Sequence, residues 1–234
     1  MTVKSSDITE NAKRLLHDVS EAAIKAGRTP DDVRFMAVTK KNSAERVNEA
    51  INGGITLLGE NRVQEFLSKY DDYQREGCDI HFIGHLQTNK VRSICDKVSM
   101  IQSVDRLSLL NEIDRCCNSL NKIMPILIEV NIGGEQSKSG VSSEKLEDFV
   151  GIASQFKHLK VCGLMTIPPN SKNITETERY FAQMYRCFID IKAKKMDNVF
   201  MDILSMGMSG DFEPAIKHGS NIVRIGRALF GERL

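Results

Sequence analysis

The sequence predicts an α/β protein that folds as a single (β/α)8 barrel of the TIM type, with one extra helix at its N-terminus. Three observations support this prediction. Eight short apolar runs alternate with amphipathic stretches along the chain. Most of these runs are apolar throughout, which is typical of parallel strands that are covered on both faces. A length of 234 residues gives room for a small barrel and little more. An open, doubly wound sheet is the alternative.

The predicted elements follow one another in a regular order. Apolar residues recur at helical spacing from Ile8 to Ala23, and Gly27 supplies a stop signal. Amphipathic stretches between the strands predict the intervening helices, one of which should begin at a capping box of Thr175 and Glu178. The eight candidate strands span residues 34–39, 56–59, 80–84, 100–104, 125–132, 160–166, 201–206 and 221–225.

Composition excludes several classes of function. The 32 basic and 31 acidic side chains nearly balance, which argues against a protein that mainly binds nucleic acid. No stretch approaches the roughly 20 apolar residues that a membrane span needs, and residues 1–10 lack the apolar core of a signal peptide. We therefore expect a cytoplasmic protein. The six cysteines show no regular spacing, which favours free thiols over disulfides or a metal site.

The first strand ends in two consecutive lysines, at the edge of a barrel where functional residues collect. A period of two places Val38 and Lys40 on one face of the strand. Thr39 and Lys41 then lie on the opposite face, so one lysine points into the barrel mouth unless the loop bends both into solvent. Partial desolvation lowers the pKa of a lysine, and a neutral amine can then attack a carbonyl group as a Schiff-base lysine does.

Two small turns at the end of the chain predict an anion site. Gly226 follows the eighth strand, and Ser205-Met-Gly-Met-Ser209 closes the seventh. Barrels commonly bind phosphate between these two loops, where backbone N–H groups are exposed. The sequence has no G-x-G-x-x-G after its first strand and no P-loop motif. A lysine at strand one combined with a phosphate cradle at strands seven and eight indicates a phosphorylated aldehyde, pyridoxal 5′-phosphate.

Several motifs together resemble one known family, the YggS/PROSC family of pyridoxal-phosphate-binding proteins. The resemblance runs from about residue 7 to the last residue. The motifs are Ala37-Val-Thr-Lys40, Leu58-Gly-Glu-Asn61, Val63-Gln-Glu65, His81-Phe-Ile-Gly-His-Leu-Gln87, Ser137-Lys-Ser-Gly140, Gly163-Leu-Met-Thr-Ile167, Leu204-Ser-Met-Gly-Met-Ser209 and Val223-Arg-Ile-Gly226.

The resemblance implies a fold and a function for the whole chain. The fold is the barrel of the alanine racemase N-terminal domain, a fold-type III barrel without its β domain, with residues 1–234 as one pyridoxal-phosphate-binding domain. The function is a role in intracellular vitamin B6 homeostasis, with little or no catalytic turnover. The implied partners are the cofactor and apo-enzymes that receive it, and a monomer is expected.

The resemblance also implies seven cofactor-binding residues, with no catalytic residue and no metal ligand. They are Lys40 as the Schiff-base lysine, Arg224 beside the pyridine nitrogen, Ser205, Gly226 and the backbone of Arg227 at the phosphate, and Asn61 and Met165 as pocket lining. Many relatives carry a small residue or threonine where this chain has Arg227, so only a backbone contact is expected there. Asn61 has a second interpretation as the cap of the following helix.

Arg224 has a chemical consequence for the choice between carrier and enzyme. A guanidinium donates hydrogen bonds but cannot accept one, so it disfavours a protonated pyridine nitrogen and weakens the cofactor as an electron sink. An amino-acid racemase or decarboxylase is the alternative function. Such enzymes add a β-rich second domain, for which the eight residues after Gly226 leave no room. A barrel enzyme that binds phosphate without pyridoxal would leave Lys40 unexplained.

Overall fold

Eight parallel strands close into a barrel in the computed structural model, which describes residues 7–135, 138–169, 171 and 173–231. Residues 1–6, Ser137 of the Ser137–Gly140 motif and residues 232–234 lie outside the described residues. Each strand pairs with the next and the last pairs with the first, so the predicted barrel is confirmed and the open sheet is excluded. The strands are β1 (Arg34–Val38), β2 (Leu57–Glu60), β3 (Asp79–Phe82), β4 (Met100–Val104), β5 (Met124–Glu129), β6 (Leu159–Met165), β7 (Val199–Met208) and β8 (Ile222–Ile225).

Helices surround the barrel, and the predicted extra helix precedes the first strand. Between β3 and β4 a 3-10 helix, Thr88–Ser93, takes the place of an α-helix. The predicted capping box is wrong, because Asn173 is the N-cap and its side chain accepts from the N–H of Thr175. The helices are α1 (Ile8–Lys25), α2 (Ala44–Asn52), α3 (Val63–Lys69), α4 (Leu107–Ser119), α5 (Leu146–Ala153), α6 (Ile174–Ala193), α7 (Phe212–Lys217) and α8 (Arg227–Phe230). None of these helices in the described ranges is long and apolar enough to cross a membrane.

Alternate residues of β1 face two different cores. Phe35 and Ala37 belong to the large outer core between the strands and the helices. Met36 and Val38 belong to a separate cluster inside the barrel. The predicted period of two is therefore confirmed along β1. Lys40 follows Val38 by two residues, so the same period places it on the inward face at the carboxyl end of the strand.

The barrel interior also holds a buried polar pair on neighbouring strands. The side chain of His81 on β3 is 3 % exposed, and its Nδ1 lies 2.9 Å from Nε2 of Gln102 on β4. With the amide nitrogen as donor, Nδ1 accepts and the imidazole is neutral. Burial, with a contribution from Arg34, lowers the pKa of His81 to about 4. The folded barrel therefore keeps this imidazole uncharged through the neutral pH range.

His81 makes the stability of the barrel depend on pH. Below about pH 6.5 the unfolded chain binds a proton at this histidine, whereas the folded chain does not until about pH 4. The free energy of unfolding should therefore fall as the pH falls through this window, by about 2 kcal/mol at about pH 5. Denaturant titrations of the wild type and of H81Q, which keeps a polar partner for Gln102, measure this difference. An equal loss in both proteins would contradict the assignment.

Candidate functional site

A cavity of about 400 Å³ opens where β1, β7 and β8 end. Four of the seven residues predicted to bind the cofactor line it, namely Lys40, Arg224, Gly226 and Arg227. The expectation that one lysine enters the barrel mouth is thus met by Lys40. The other lining residues are Val38, Ser171, Ile174, Thr177, Met208, Ser209, Gly210 and Asp211.

The turn after β1 separates the two lysines. The backbone N–H and the hydroxyl of Thr39 both lie 3.2 Å from the carbonyl of Gly59 on β2, which extends the pairing of the two strands. The N–H of Asn42 donates to the carbonyl of Thr39 at 3.1 Å and closes a four-residue turn. Inside this turn Lys41 takes a left-handed conformation with φ of 62°. The chain therefore reverses after Lys40, which stays at the cavity.

Arg224 on β8 is a buried charge with fixed partners. Arg224 is 4 % exposed. Its Nη1 donates to Ser205 Oγ at 2.8 Å, and its Nη2 donates to the carbonyl of Thr166 at 2.7 Å. Burial lowers the pKa of Arg224 to about 10, although the carboxylates of Asp211 and Glu129 oppose the shift. The guanidinium is therefore charged at neutral pH and held in one orientation. Ser205 is fully buried, and its hydroxyl faces Arg224.

Ser209 is a cavity residue that the sequence analysis did not assign. Its Oγ accepts hydrogen bonds from the N–H groups of Gly226 at 3.3 Å and Ala228 at 3.4 Å, across the start of α8. Gly207 bends the chain just before it, with φ of 92°, and a Cβ there would lie 2.5 Å from the Cβ of Ala215. The position of Ser209 directly after the strand was the available sequence signal, because barrel sites collect at strand ends.

The two residues predicted to line the pocket lie outside the walls of this cavity. Met165 is fully buried in the barrel interior, in a cluster with Leu127. Asn61 lines a second cavity of about 520 Å³ on the β2 side of the Lys40 turn. Its Oδ1 is buried without a hydrogen-bond partner among the described residues. The capping alternative is not supported, since Arg62 is the N-cap of α3.

Glu129 at the end of β5 is a second group that the sequence analysis missed. It follows the inward-facing Leu127 by two residues and so belongs to the same row of side chains. Burial and the nearby Asp105 raise the pKa of Glu129 to about 7, although Arg224 opposes this shift. In the sequence this residue only ends an apolar run. An acid that titrates near neutrality thus lies within electrostatic reach of Arg224.

Comparisons with known proteins agree with the motif resemblance. The family model of the alanine racemase N-terminal domain matches residues 11–234. A pyridoxal phosphate homeostasis protein of Aquifex aeolicus is 41% identical over 224 residues, covering 96% of this chain and 97% of the relative. A protein of the same name from Escherichia coli K12 is 35% identical over 232 residues, covering 97% of each.

A solved structure of similar sequence has the same fold. The structure of PipY from Synechococcus elongatus PCC7942, described as having PLP bound, superposes with a TM-score of 0.81 at 29% identity. The match covers 91% of this chain and all of the PipY chain, at 100%. The chain therefore belongs to the family of the alanine racemase N-terminal domain and, within it, to the YggS/PROSC family that the sequence motifs indicate.

Proposed function

We propose that the chain binds pyridoxal 5′-phosphate in the Lys40 cavity and holds it for intracellular cofactor homeostasis, with little or no turnover. One observation carries this proposal: a single cavity combines an amine at Lys40, a guanidinium at Arg224 and a hydroxyl at Ser209. These groups fit an aldehyde, a pyridine nitrogen and a phosphate respectively. The names of the relatives and the PLP-bound PipY structure support the same ligand.

Lys40 supplies the covalent attachment. Its Nζ would add to the aldehyde carbon, and loss of one water leaves a C=N bond, the Schiff base that the motif resemblance implies. The Thr39–Gly59 hydrogen bonds fix the backbone directly before this lysine. Lys40 therefore presents its amine from a rigid strand end, which reduces the entropy lost on binding.

The turn after β7 and the start of α8 would together hold the phosphate. Ser209 Oγ accepts from two backbone N–H groups in the structure, at Gly226 and Ala228. A phosphate oxygen can replace the hydroxyl as acceptor for these donors, and the hydroxyl can then donate to it. The backbone of Arg227 lies between the same two residues. We accordingly assign Ser209 to the phosphate, together with Gly226 and Arg227.

Arg224 and Ser205 would act together at the ring nitrogen. The guanidinium can only donate, so the nitrogen must be unprotonated to accept from it. Ser205 and the carbonyl of Thr166 hold two of the guanidinium nitrogens. The motif resemblance implies Ser205 as a phosphate ligand. Because Ser205 is fully buried, accepts from Arg224 and is not among the residues that line the Lys40 cavity, we propose instead that it orients Arg224. An unprotonated ring stabilises negative charge poorly, which is why we expect little turnover.

The other predictions concern lining residues and the cellular setting. Met165 and Asn61 remain proposed lining residues, although neither is among the residues that line the Lys40 cavity. Asn61 Oδ1 is buried without a hydrogen-bond partner among the described residues, so it is free to accept from a ligand. We propose that residues 1–234 act as one cofactor-binding unit, as a cytoplasmic monomer. Apo-enzymes that need pyridoxal phosphate are the proposed recipients. The near-neutral charge of the chain is compatible with transient contacts.

Borohydride trapping tests the attachment site. The purified protein loaded with pyridoxal phosphate should show a visible absorbance band, and reduction should fix the ligand on the peptide that contains Lys40. K40A should lose this modified peptide. K41A is the matched control, because Lys41 lies in the same turn, and it should keep the modified peptide. A wild-type protein labelled on another lysine would disprove the assignment.

Two serine variants separate the phosphate site from the ring site. S209A should bind pyridoxal phosphate about 10- to 100-fold more weakly, because a hydrogen bond to a charged group is lost. Its affinity for pyridoxal, which lacks the phosphate, should change by less than about twofold. S205A should weaken both ligands alike, since it leaves Arg224 less well held. Titration by absorbance measures all four affinities, and a phosphate-selective loss in S205A would reverse the two roles.

Turnover and transfer distinguish a carrier from a racemase. Incubation of the loaded protein with a panel of L-amino acids, followed by chiral analysis, should show no sustained formation of D-amino acids. Addition of an apo-enzyme that depends on pyridoxal phosphate should restore that enzyme's activity, with a matching loss of absorbance from the chain. Robust racemisation, or no transfer to any apo-enzyme tested, would contradict the carrier function.

A further inference from the structure

A buried lysine lies behind the turn that carries Lys40. Lys69, the last residue of α3, is only 8 % exposed, although lysine is rarely buried. Its Nζ donates to the carbonyl of Asn42 at 3.0 Å, to the carbonyl of Thr39 at 3.4 Å and to Oε1 of Glu65 at 2.9 Å. An ammonium group has three protons to donate. The three acceptors therefore use its complete set of donors.

Glu65 completes the connection to the turn. Its Oε1 accepts the backbone N–H of Lys41 in addition to the ammonium of Lys69. Lys41 is in the left-handed region, with φ of 62°, a conformation that costs a lysine free energy and costs glycine little. The hydrogen bond from Lys41 thus holds the one residue of the turn whose backbone is strained.

The placement of the acceptors distinguishes this pair from an ordinary helical ion pair. Two of the three acceptors of Lys69 are main-chain carbonyls of the turn, one directly before Lys40 and one two residues after it. Neither Lys69 nor Glu65 is among the residues that line the Lys40 cavity. Tyr73 covers the ammonium, with its ring centroid 5.9 Å from Nζ. Lys69 and Glu65 therefore contact the turn without lining the Lys40 cavity.

We propose that Lys69 and Glu65 are positioning residues, which form a buried clamp on residues 39–42 and thereby direct Lys40 into its cavity. This inference rests on the proposed attachment of the cofactor at Lys40. The clamp acts through the backbone. The ammonium of Lys69 stabilises two carbonyls of the turn by hydrogen bonds. The carboxylate of Glu65 holds Lys41 in its left-handed conformation by accepting its N–H. Without the clamp, the turn should relax toward conformations in which Lys40 Nζ no longer meets the ligand.

The first test removes the two members of the clamp. K69M keeps the apolar stem of the lysine and loses its donors, and E65A loses the acceptor for Lys41. Both should bind pyridoxal phosphate at least about tenfold more weakly than the wild type and yield less ligand trapped on Lys40. K13M, which breaks an exposed helical ion pair with Glu10, is the matched control and should bind as the wild type does.

The second test uses rescue to separate positioning from general stability. Glycine adopts the left-handed conformation freely, so K41G in the E65A background should restore most of the lost affinity. Amide hydrogen exchange at residue 42, whose N–H closes the turn by donating to Thr39, should rise in unliganded E65A and fall again in the double variant. Residue 41 should exchange fast in both variants, because its N–H has lost its acceptor. If K69M does not fold, this pair of variants decides the question alone.

The outcomes separate the clamp from the proposed function. If the wild type traps no pyridoxal phosphate on Lys40, the proposed function fails whatever the variants do. If the wild type traps it and E65A binds within about twofold of it, only the clamp is overturned. A double variant that binds no better than E65A overturns the clamp as well, since strain at Lys41 would then not control Lys40.

Discussion

The pairing of β8 with β1 is the constraint on which the site depends. In this register Met36 lies opposite Arg224, and Ala37 lies opposite Ile225. Lys40 and Arg224, which come from opposite ends of the chain, are thereby brought to one cavity. An open sheet would leave the first and last strands apart and separate the amine from the guanidinium. Closure of the barrel is therefore a condition for the site as well as for the fold.

Two buried basic side chains of the barrel differ in their charge at neutral pH. His81 near the middle of the barrel is neutral, because burial lowers its pKa to about 4 and Gln102 donates to its Nδ1. Arg224 at the mouth remains charged, because Ser205 and the carbonyl of Thr166 satisfy its guanidinium. A buried positive charge therefore lies at the end of the barrel where an anionic ligand would enter.

Local patterns in the sequence were enough to predict the strands but not the partners of the polar residues. Short apolar runs predicted all eight strands. The period of two along β1 predicted that one of the two lysines enters the barrel mouth, and the motif resemblance indicated Lys40, which lines the cavity. The environments of Ser205 and Ser209 depend on the bend at Gly207 and on a register shift between β7 and β8, which no local pattern encodes.

The proposed role of Glu65 and Lys69 could not be predicted from the local sequence either. Glu65 and Lys69 have the i,i+4 spacing of an exposed helical pair, which usually contributes little to stability. Only the tertiary fold reveals that the turn after β1 packs over them and supplies two carbonyls. A sequence pattern can therefore indicate that two side chains meet, whereas their role depends on the backbone that is folded against them.

In the proposed function, the residue that holds the cofactor ring would also limit its chemistry. In the proposed function Arg224 would attract an anionic ligand, and by donating to the ring nitrogen it would also disfavour the protonation that carbanion chemistry needs. Removal of Arg224 would allow the ring nitrogen to be protonated, which would make the ring a better electron sink. It would also remove a hydrogen bond that holds the ring in place. A C=N bond to Lys40, as proposed, would be reversible, which would allow the cofactor to be released again. A site that holds a reactive aldehyde reversibly and performs little chemistry on it would suit the proposed role in cofactor homeostasis.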